Sequence, residues 1–124
     1  MSVGDIHWVD LPAANGREQR GRRPAVVFQD DDYGGDLPVV LVVPLTTARA
    51  AMRFAGTTLI RPTAENGLRQ VSVALVFQLR AIDRRRLQER IGRVCPTFYT
   101  GCNSLILGPF SINSAMSKER YWIA

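Results

Sequence analysis

Residues 37–45 read Leu-Pro-Val-Val-Leu-Val-Val-Pro-Leu, the most apolar stretch of the 124-residue chain. Valine favours strands, and a strand without polar positions is typical of one that is buried on both faces. Pro38 and Pro44 mark its ends, because proline cannot donate a hydrogen bond to a sheet. We therefore predict a central strand, with Thr46 and Thr47 directly after it. A chain of this length forms one domain with a single modest core.

Shorter strand-like runs flank this central strand. They cover residues 4–11, 25–28, 56–61, 71–77 and 89–94, and Asn66-Gly67 is a strong turn signal. Residues 79–87 contain helix formers with apolar residues at 79, 82 and 87, which predicts a short helix that Asp83 caps. Residues 48–54 fit either a short helix or a loop. The sequence thus predicts a mainly β domain with short helices, in which about five to seven antiparallel strands form a small barrel or curled sheet.

A polar, arginine-dense loop separates the first two strand-like runs. Residues 16–24 read Gly-Arg-Glu-Gln-Arg-Gly-Arg-Arg-Pro, and glycine and proline at such positions are typical of surface loops. The chain has 16 Lys and Arg against 11 Asp and Glu, a formal net charge of +5. This balance favours an anionic partner such as nucleic acid, although a membrane-surface or ribosome-associated protein, or a GC-rich genome, fits it too.

Other classes of site find little support in the sequence. His7 is the sole histidine and lies within a strand-like run, which indicates a strand residue rather than the base of a catalytic triad. Cys95 and Cys102 lack the partners of a zinc site. The aspartates at 30–32 lack the spacing of a calcium loop, so we predict neither a metal nor a cofactor. No apolar run is long enough to span a bilayer, and no signal peptide is visible, which predicts a cytoplasmic protein without membrane contact.

Several motifs, in one order along the chain, resemble the MazF/PemK (Kid) toxins of type II toxin-antitoxin pairs. They are Gly4-Asp5-Ile6, Gly16-x-Glu18-Gln19-x-Gly21-x-Arg23-Pro24, Pro44-Leu45-Thr46, Arg53-Phe54-Ala55-Gly56 and Gln78-x-Arg80-x-Ile82-Asp83. The resemblance implies a barrel related to SH3-like and CcdB-type folds, a homodimer, and sequence-specific cleavage of single-stranded RNA without a metal or cofactor. It also implies a cognate antitoxin, and binding of operator DNA only together with that antitoxin.

The resemblance assigns catalysis to two residues, Arg23 and Thr46. The implied reaction is attack by the RNA 2′-hydroxyl on the adjacent phosphorus, which gives a 2′,3′-cyclic phosphate and a free 5′-hydroxyl. A fixed guanidinium and a hydroxyl donor suit this reaction, because the phosphate gains negative charge in the transition state. We expect RNA contacts from Arg17, Glu18, Gln19, Arg20, Arg22 and Thr47. We expect support of the fold or the dimer from Gln78, Arg80 and Asp83.

The chain departs from the family pattern at three places. Arg17 and Phe77 occupy positions at which some members carry a histidine and an acidic residue. Residues 96–124 lack the amphipathic helix with which members usually end. We therefore divide the single domain into a family-like part, residues 1–94, and an atypical C-terminal segment, residues 95–124. Two alternatives stay open: a CcdB-like poison that binds DNA gyrase, and an inactive relative that binds RNA or antitoxin.

Overall fold

The computed structural model describes residues 2–12, 16, 20–29 and 37–98, and these residues form an antiparallel β fold. The strands are β1 (Asp5–Leu11), β2 (Gly21–Val27), β3 (Val39–Thr46), β4 (Thr57–Ile60), β5 (Ser72–Leu75), β6 (Arg80–Asp83) and β7 (Leu87–Arg93). Three short 3₁₀ helices connect them: η1 (Arg49–Arg53), η2 (Val76–Gln78) and η3 (Arg84–Arg86). The prediction of a mainly β domain with short helices is confirmed.

Strand β3 is the centre of the sheet, as its apolar sequence predicted. The strand order is β4-β5-β3-β2-β1-β7, and β6 also pairs with β3. The first half of β3 pairs with β6, from Val39 opposite Asp83 to Val42 opposite Arg80. Its last residue, Thr46, lies opposite Val73 of β5. One edge of β3 thus pairs first with β6 and then with β5.

The sheet curls back on itself without a ladder that closes it among the described residues. Strands β7 and β6 are the two ends of the path β7-β1-β2-β3-β6, and only the three residues of η3 separate them in the chain. So short a connection holds the two end strands close together. The result is a small, curled barrel that is joined through a 3₁₀ turn.

The second half of β3 is buried on both faces, whereas Val39 and Leu41, in its first half, are each 39% exposed. Val40 and Val42 pack in one core cluster, and Val43 and Leu45 pack in another. The first cluster is completed by Val9, Leu11, Ala25, Val27 and Ile82. The second is completed by Ile6, Val26, Ile60, Ala74, Val76, Val94 and Phe98. The prediction of burial on both faces is therefore confirmed only for the second half of the strand.

The helix predicted over residues 79–87 is wrong. Residues 80–83 form β6, and only Arg84–Arg86 are helical. Ile82 lies opposite Val40 and is 2% exposed, so pairing with the central strand outweighs the weak helix propensity of this stretch. The predicted cap is confirmed, since the Asp83 carboxylate accepts a hydrogen bond from the Arg85 backbone N–H at 2.8 Å. The stretch from 48 to 54 contains η1.

The predicted Asn66-Gly67 turn exists, but it lies within the longer connection between β4 and β5. Asn66 is buried, and its side-chain oxygen accepts hydrogen bonds from the backbone N–H groups of Thr63 and Leu68, both at 3.0 Å. Its amide donates to the Arg61 carbonyl at 2.8 Å. The turn packs directly on β7, because a Cβ at Gly92 would lie 2.4 Å from Asn66 backbone atoms.

Candidate active site

Arg23 and Thr46 lie on neighbouring antiparallel strands, Arg23 near the start of β2 and Thr46 at the end of β3, so both are at one end of the sheet. Strands β2 and β3 pair with Ala25 opposite Pro44 and Val27 opposite Val42. Extension of this register by two residues puts Arg23 opposite Thr46, where cross-strand residues share one face of a sheet. The hydrogen-bonded pairing stops just before them, where Pro24 and Pro44 lack an N–H. The register therefore puts the two residues to which the resemblance assigns catalysis at the same end of the sheet.

One of the five N–H donors of Arg23 is used to orient its side chain. Its Nε donates to the backbone carbonyl of Arg20 at 3.1 Å, and the side chain is half-buried. A guanidinium oriented by one bond keeps its other donors for two oxygens of a phosphate. This geometry corrects one detail of the sequence prediction: Gly21 to Pro24 are not loop residues but the first residues of β2.

The Thr46 hydroxyl is positioned as a hydrogen-bond donor. Thr46 is only 8% exposed, and its Oγ1 accepts a hydrogen bond from the Ala48 backbone N–H at 3.2 Å. A hydroxyl that accepts in this way still carries its own proton, which can be donated to a phosphoryl oxygen. Thr47, the next residue, is exposed.

Arg22 points away from Arg23, because consecutive strand residues face opposite sides of a sheet. Its Nε donates to Gln88 Oε1 at 2.9 Å and its Nη2 to Glu89 Oε1 at 2.6 Å. Its guanidinium carbon lies 4.2 Å from the centroid of the Trp8 ring. Two further ion pairs link β1 to the elements that follow β6: Arg86 of η3 with Asp10 at 3.5 Å, and Arg90 of β7 with Asp5 at 3.4 Å. We call these residues of β1, β2, η3 and β7 the paired surface.

The other predicted site residues are spread over the fold or lie beyond the described part. Arg20 is exposed and precedes β2. Arg17, Glu18 and Gln19 lie outside the described residues. Gln78 ends η2, and Arg80 lies opposite Val42 on the central strand.

Asp83 accepts hydrogen bonds from both the side chain and the backbone of Arg85, and its carboxyl has a lowered pKa. The side-chain bonds are 3.1 Å from Arg85 Nε and 3.0 Å from Arg85 Nη2. Those bonds, reinforced by the Arg85 backbone N–H, lower the pKa of Asp83 to about 2. Asp83 thus remains charged over the whole range in which proteins normally work, and it fixes the turn between β6 and β7.

An exposed aromatic pair was missed by the reading of the sequence. Phe54 is 46% exposed and Phe77 is 50% exposed, and their ring centroids are 5.9 Å apart. The guanidinium carbon of Arg53 lies 4.8 Å from the centroid of the Phe54 ring. Phe54 and Phe77 are 23 positions apart, so no local sequence pattern predicts their contact. The only signal in the sequence was the departure from the family motif at Phe77.

His7 and Cys95 each make a hydrogen bond and lie apart from Arg23 and Thr46 in the sequence. His7 lies on β1, as predicted, and its Nδ1 is 2.8 Å from the Gln88 carbonyl oxygen. Cys95 is exposed, and a hydrogen bond from Thr97 lowers the pKa of its thiol. Within the described ranges, no three His, Cys, Asp or Glu side chains lie together as a metal site requires.

The fold defines the class: a small, basic protein built on a curled antiparallel sheet. The sequence profile of the PemK-like, MazF-like toxins of type II toxin-antitoxin systems matches residues 2–106. The Endoribonuclease MazF of Staphylococcus saprophyticus subsp. saprophyticus is 33% identical over 91 residues, which are 73% of this chain and 75% of that protein. The chain therefore belongs to the PemK-like, MazF-like toxin family.

Solved structures agree with this fold. MazF (Form-I) from Deinococcus radiodurans superposes with a TM-score of 0.75 at 21% identity, over 90% of this chain and 97% of that chain. The MazE-MazF (Form-II) structure from the same organism gives a TM-score of 0.58 at 23% identity, over 94% and 96%. The similarity extends over nearly all of each chain. In the described residues, no helix is long and apolar enough to cross a membrane.

Proposed function

We propose that this chain is a toxin endoribonuclease that cuts single-stranded RNA at short, specific sequences. The observation that carries the proposal is the β2–β3 register, whose extension by two residues puts Arg23 opposite Thr46 at one end of the sheet. Family membership and the relative named Endoribonuclease MazF support it. The net charge of +5 suits a polyanionic substrate.

The proposed reaction uses the substrate's own nucleophile and requires no metal. The RNA 2′-oxygen forms a bond to phosphorus and loses its proton to solvent water, while the bond from phosphorus to the 5′-oxygen breaks and that oxygen gains a proton from water. Arg23 stabilises the charge on the phosphoryl oxygens and stands ready to donate to the leaving oxygen, and Thr46 donates to a phosphoryl oxygen. Neither the cationic Arg17 nor the apolar Phe77 is a proton acceptor, so the rate rests on this electrostatic stabilisation.

RNA contacts and partners follow from the same proposal. Arg17, Glu18, Gln19, Arg20 and Thr47 are proposed to hold the strand around the reacting phosphate. Arg22, which faces the other side of β2 and binds Glu89, is proposed to contribute less to RNA binding. Gln78, Arg80 and Asp83 are proposed to support the fold or a homodimer. The MazE-MazF structure supports an antitoxin partner, and operator DNA is proposed to bind only with that antitoxin. An RNA-cleaving toxin acts in the cytoplasm, where messenger RNA is found.

The division of the chain is also a proposal. Residues 1–94 would form the family-like nuclease domain, and residues 95–124 would complete the same single domain as an atypical segment. Burial of Val94 and Phe98 in the core supports one continuous domain across this boundary.

The test is cleavage of one long single-stranded RNA by purified protein in the presence of a chelator. We expect discrete fragments with 5′-hydroxyl ends and 2′,3′-cyclic phosphates, and sequencing of the new 5′ ends gives the recognition site. Thr46→Ser should cut, because it keeps the hydroxyl, whereas folded Thr46→Ala and Arg23→Ala should not. Equal cutting by all variants would reject the residue assignment. Gyrase inhibition without RNA cleavage would replace the proposal by the CcdB-like alternative.

A further inference from the structure

The exposed pair of Phe54 and Phe77 lies in a part of the chain that is nearly free of carboxylates. Residues 37–82, which we call the acid-poor lobe, contain five arginines and a single acidic residue, Glu65. The lobe contains the end of β3 with Thr46, the helices η1 and η2, and strands β4 and β5. An exposed apolar pair in such surroundings suits a partner that is both aromatic and anionic.

The backbone holds the pair in place. The Phe77 backbone N–H donates to the Gly56 carbonyl at 3.1 Å. Gly56 has a φ of +77°, and a Cβ at this position would lie 3.2 Å from the Phe77 Cβ. Glycine both adopts this conformation and lets Phe77 approach closely. The two rings thus belong to a fixed surface between η1 and η2.

The pair lies near the proposed reacting phosphate. Thr46 lies opposite Val73, ~5 Å away across the sheet, and Phe77 is four residues beyond Val73, at most ~13 Å further in extended strand geometry. On the other side, η1 separates Thr46 from Phe54 by a single short turn. A single strand of RNA at Thr46 therefore passes within reach of the two rings.

We propose that Phe54 and Phe77 form a stacking platform for unpaired bases of the RNA, with Arg53 beside it for a phosphate. The proposal rests on the proposed ribonuclease function and adds a base-binding subsite to it. Exposed aromatic rings in basic surroundings bind single strands by stacking, with little dependence on which base is present. The Arg53 guanidinium, 4.8 Å from the Phe54 ring centroid, supplies the positive charge.

The experiment compares two short labelled strands of equal length. One is a 2′-O-methyl RNA of mixed sequence, and the other has the same backbone with abasic positions throughout. We expect Phe77→Ala to lower the affinity for the base-bearing strand by about fivefold to a hundredfold. It should lower the affinity for the abasic strand by less than about twofold. Phe77→Tyr should keep both affinities, because it keeps the ring. Phe77→Leu should fold like the wild type and lose affinity like Phe77→Ala.

Leu37→Ala is the matched control, because Leu37 is also 50% exposed but does not belong to the aromatic pair. It should leave both affinities unchanged. An equal loss on both strands in Phe77→Ala, or no loss on either, would overturn the platform. An unchanged RNA affinity with a lost homodimer or lost antitoxin binding would also overturn it and assign the pair to a protein contact.

Failure of the platform and failure of the nuclease are distinguishable. The 2′-O-methyl strand has no nucleophile, so its binding is measured whether or not the chain cleaves RNA. Base-dependent binding by a chain that cuts no unmodified RNA would reject the nuclease and support the platform. Normal cleavage of unmodified RNA together with base-independent binding would support the nuclease and reject the platform.

Discussion

The arginines of the paired surface and those of the acid-poor lobe have different surroundings. On the paired surface, Arg22, Arg86 and Arg90 each contact a carboxylate of Glu89, Asp10 or Asp5. In the lobe, Arg53 lies over the Phe54 ring, with its guanidinium carbon 4.8 Å from the ring centroid. A paired arginine loses part of its attraction for an anion, because the anion must compete with a carboxylate that is already in place. The two regions therefore differ in the charge that they offer to RNA, although both are rich in arginine.

Strand β2 is where this difference becomes sharpest. Arg22 and Arg23 are adjacent in sequence, yet Arg22 binds Glu89 of β7 whereas Arg23 donates to the Arg20 backbone carbonyl. The alternation of strand side chains gives them opposite surroundings. Charge density in the sequence cannot rank these two arginines, whereas the strand face can.

The largest expected effect comes from substitutions of these two arginines. Arg23→Ala should lower the rate of RNA cleavage by roughly 10²- to 10³-fold, the usual cost of one lost donor to a developing oxyanion. Arg22→Ala should lower it by less than about tenfold, because Glu89 already holds that guanidinium. Single-turnover cleavage rates of both folded variants measure the difference. Equal losses would remove the distinction between the two faces of β2.

The second prediction tests the turn at Asn66, through which the acid-poor lobe packs on β7 of the paired surface. Asn66→Ala leaves the N–H groups of Thr63 and Leu68 and the Arg61 carbonyl without their partner, and it should cost about 2–4 kcal/mol of unfolding free energy. Gln70→Ala, in the same connection but exposed, should cost less than about 0.5 kcal/mol. Urea denaturation measures both. A small cost for Asn66→Ala would show that the turn does not hold the lobe on β7.

The third prediction concerns salt dependence. Arg53→Gln should reduce the slope of log affinity for single-stranded RNA against log salt by about 0.7, the value for one lost phosphate contact. Arg22→Gln should reduce it by less, and Glu89→Gln should increase it, because the change releases Arg22 from its partner. Affinity titrations at several salt concentrations provide the slopes. A larger change for Arg22 than for Arg53 would reverse the proposed ranking of the regions.

The smallest effect is expected at η3, which joins β6 to the paired surface. The Asp83 carboxyl should titrate with a pKa of about 2, because hydrogen bonds from Arg85 favour its charged form. Because the pKa of Asp83 is lower in the folded state, its ionised carboxylate stabilises the fold. This stabilisation is fully present when the pH is above 3.8, the usual pKa of an aspartate. It is lost as the pH falls through about 2.

The measurement is an NMR titration of the Asp83 side chain. In Arg85→Ala the pKa should rise toward 3.8, since the side-chain donor is gone. An unchanged pKa in that variant would show that Arg85 does not hold the carboxylate.

Local sequence signals predicted several elements correctly. The apolar run of residues 37–45 predicted the central strand, although the strand continues past Pro44 and only its second half is buried on both faces. Asp83 was correctly expected to cap a helical turn. The helix over residues 79–87 was wrong because Ile82 fits either a helical period or a strand. Its partner Val40 lies 42 positions earlier in the chain, and no local pattern contains that information.

By itself the sequence determined the β class, the central strand, the turn at Asn66, the basic character and the family motifs with Arg23 and Thr46. These depend on side-chain volume, proline positions and charge, which are properties of short segments. Only the tertiary structure separated Arg22 from Arg23, buried Asn66 against β7, and brought Phe54 to Phe77. These features depend on strand register and on contacts between distant segments, and such contacts exist only once the chain has folded.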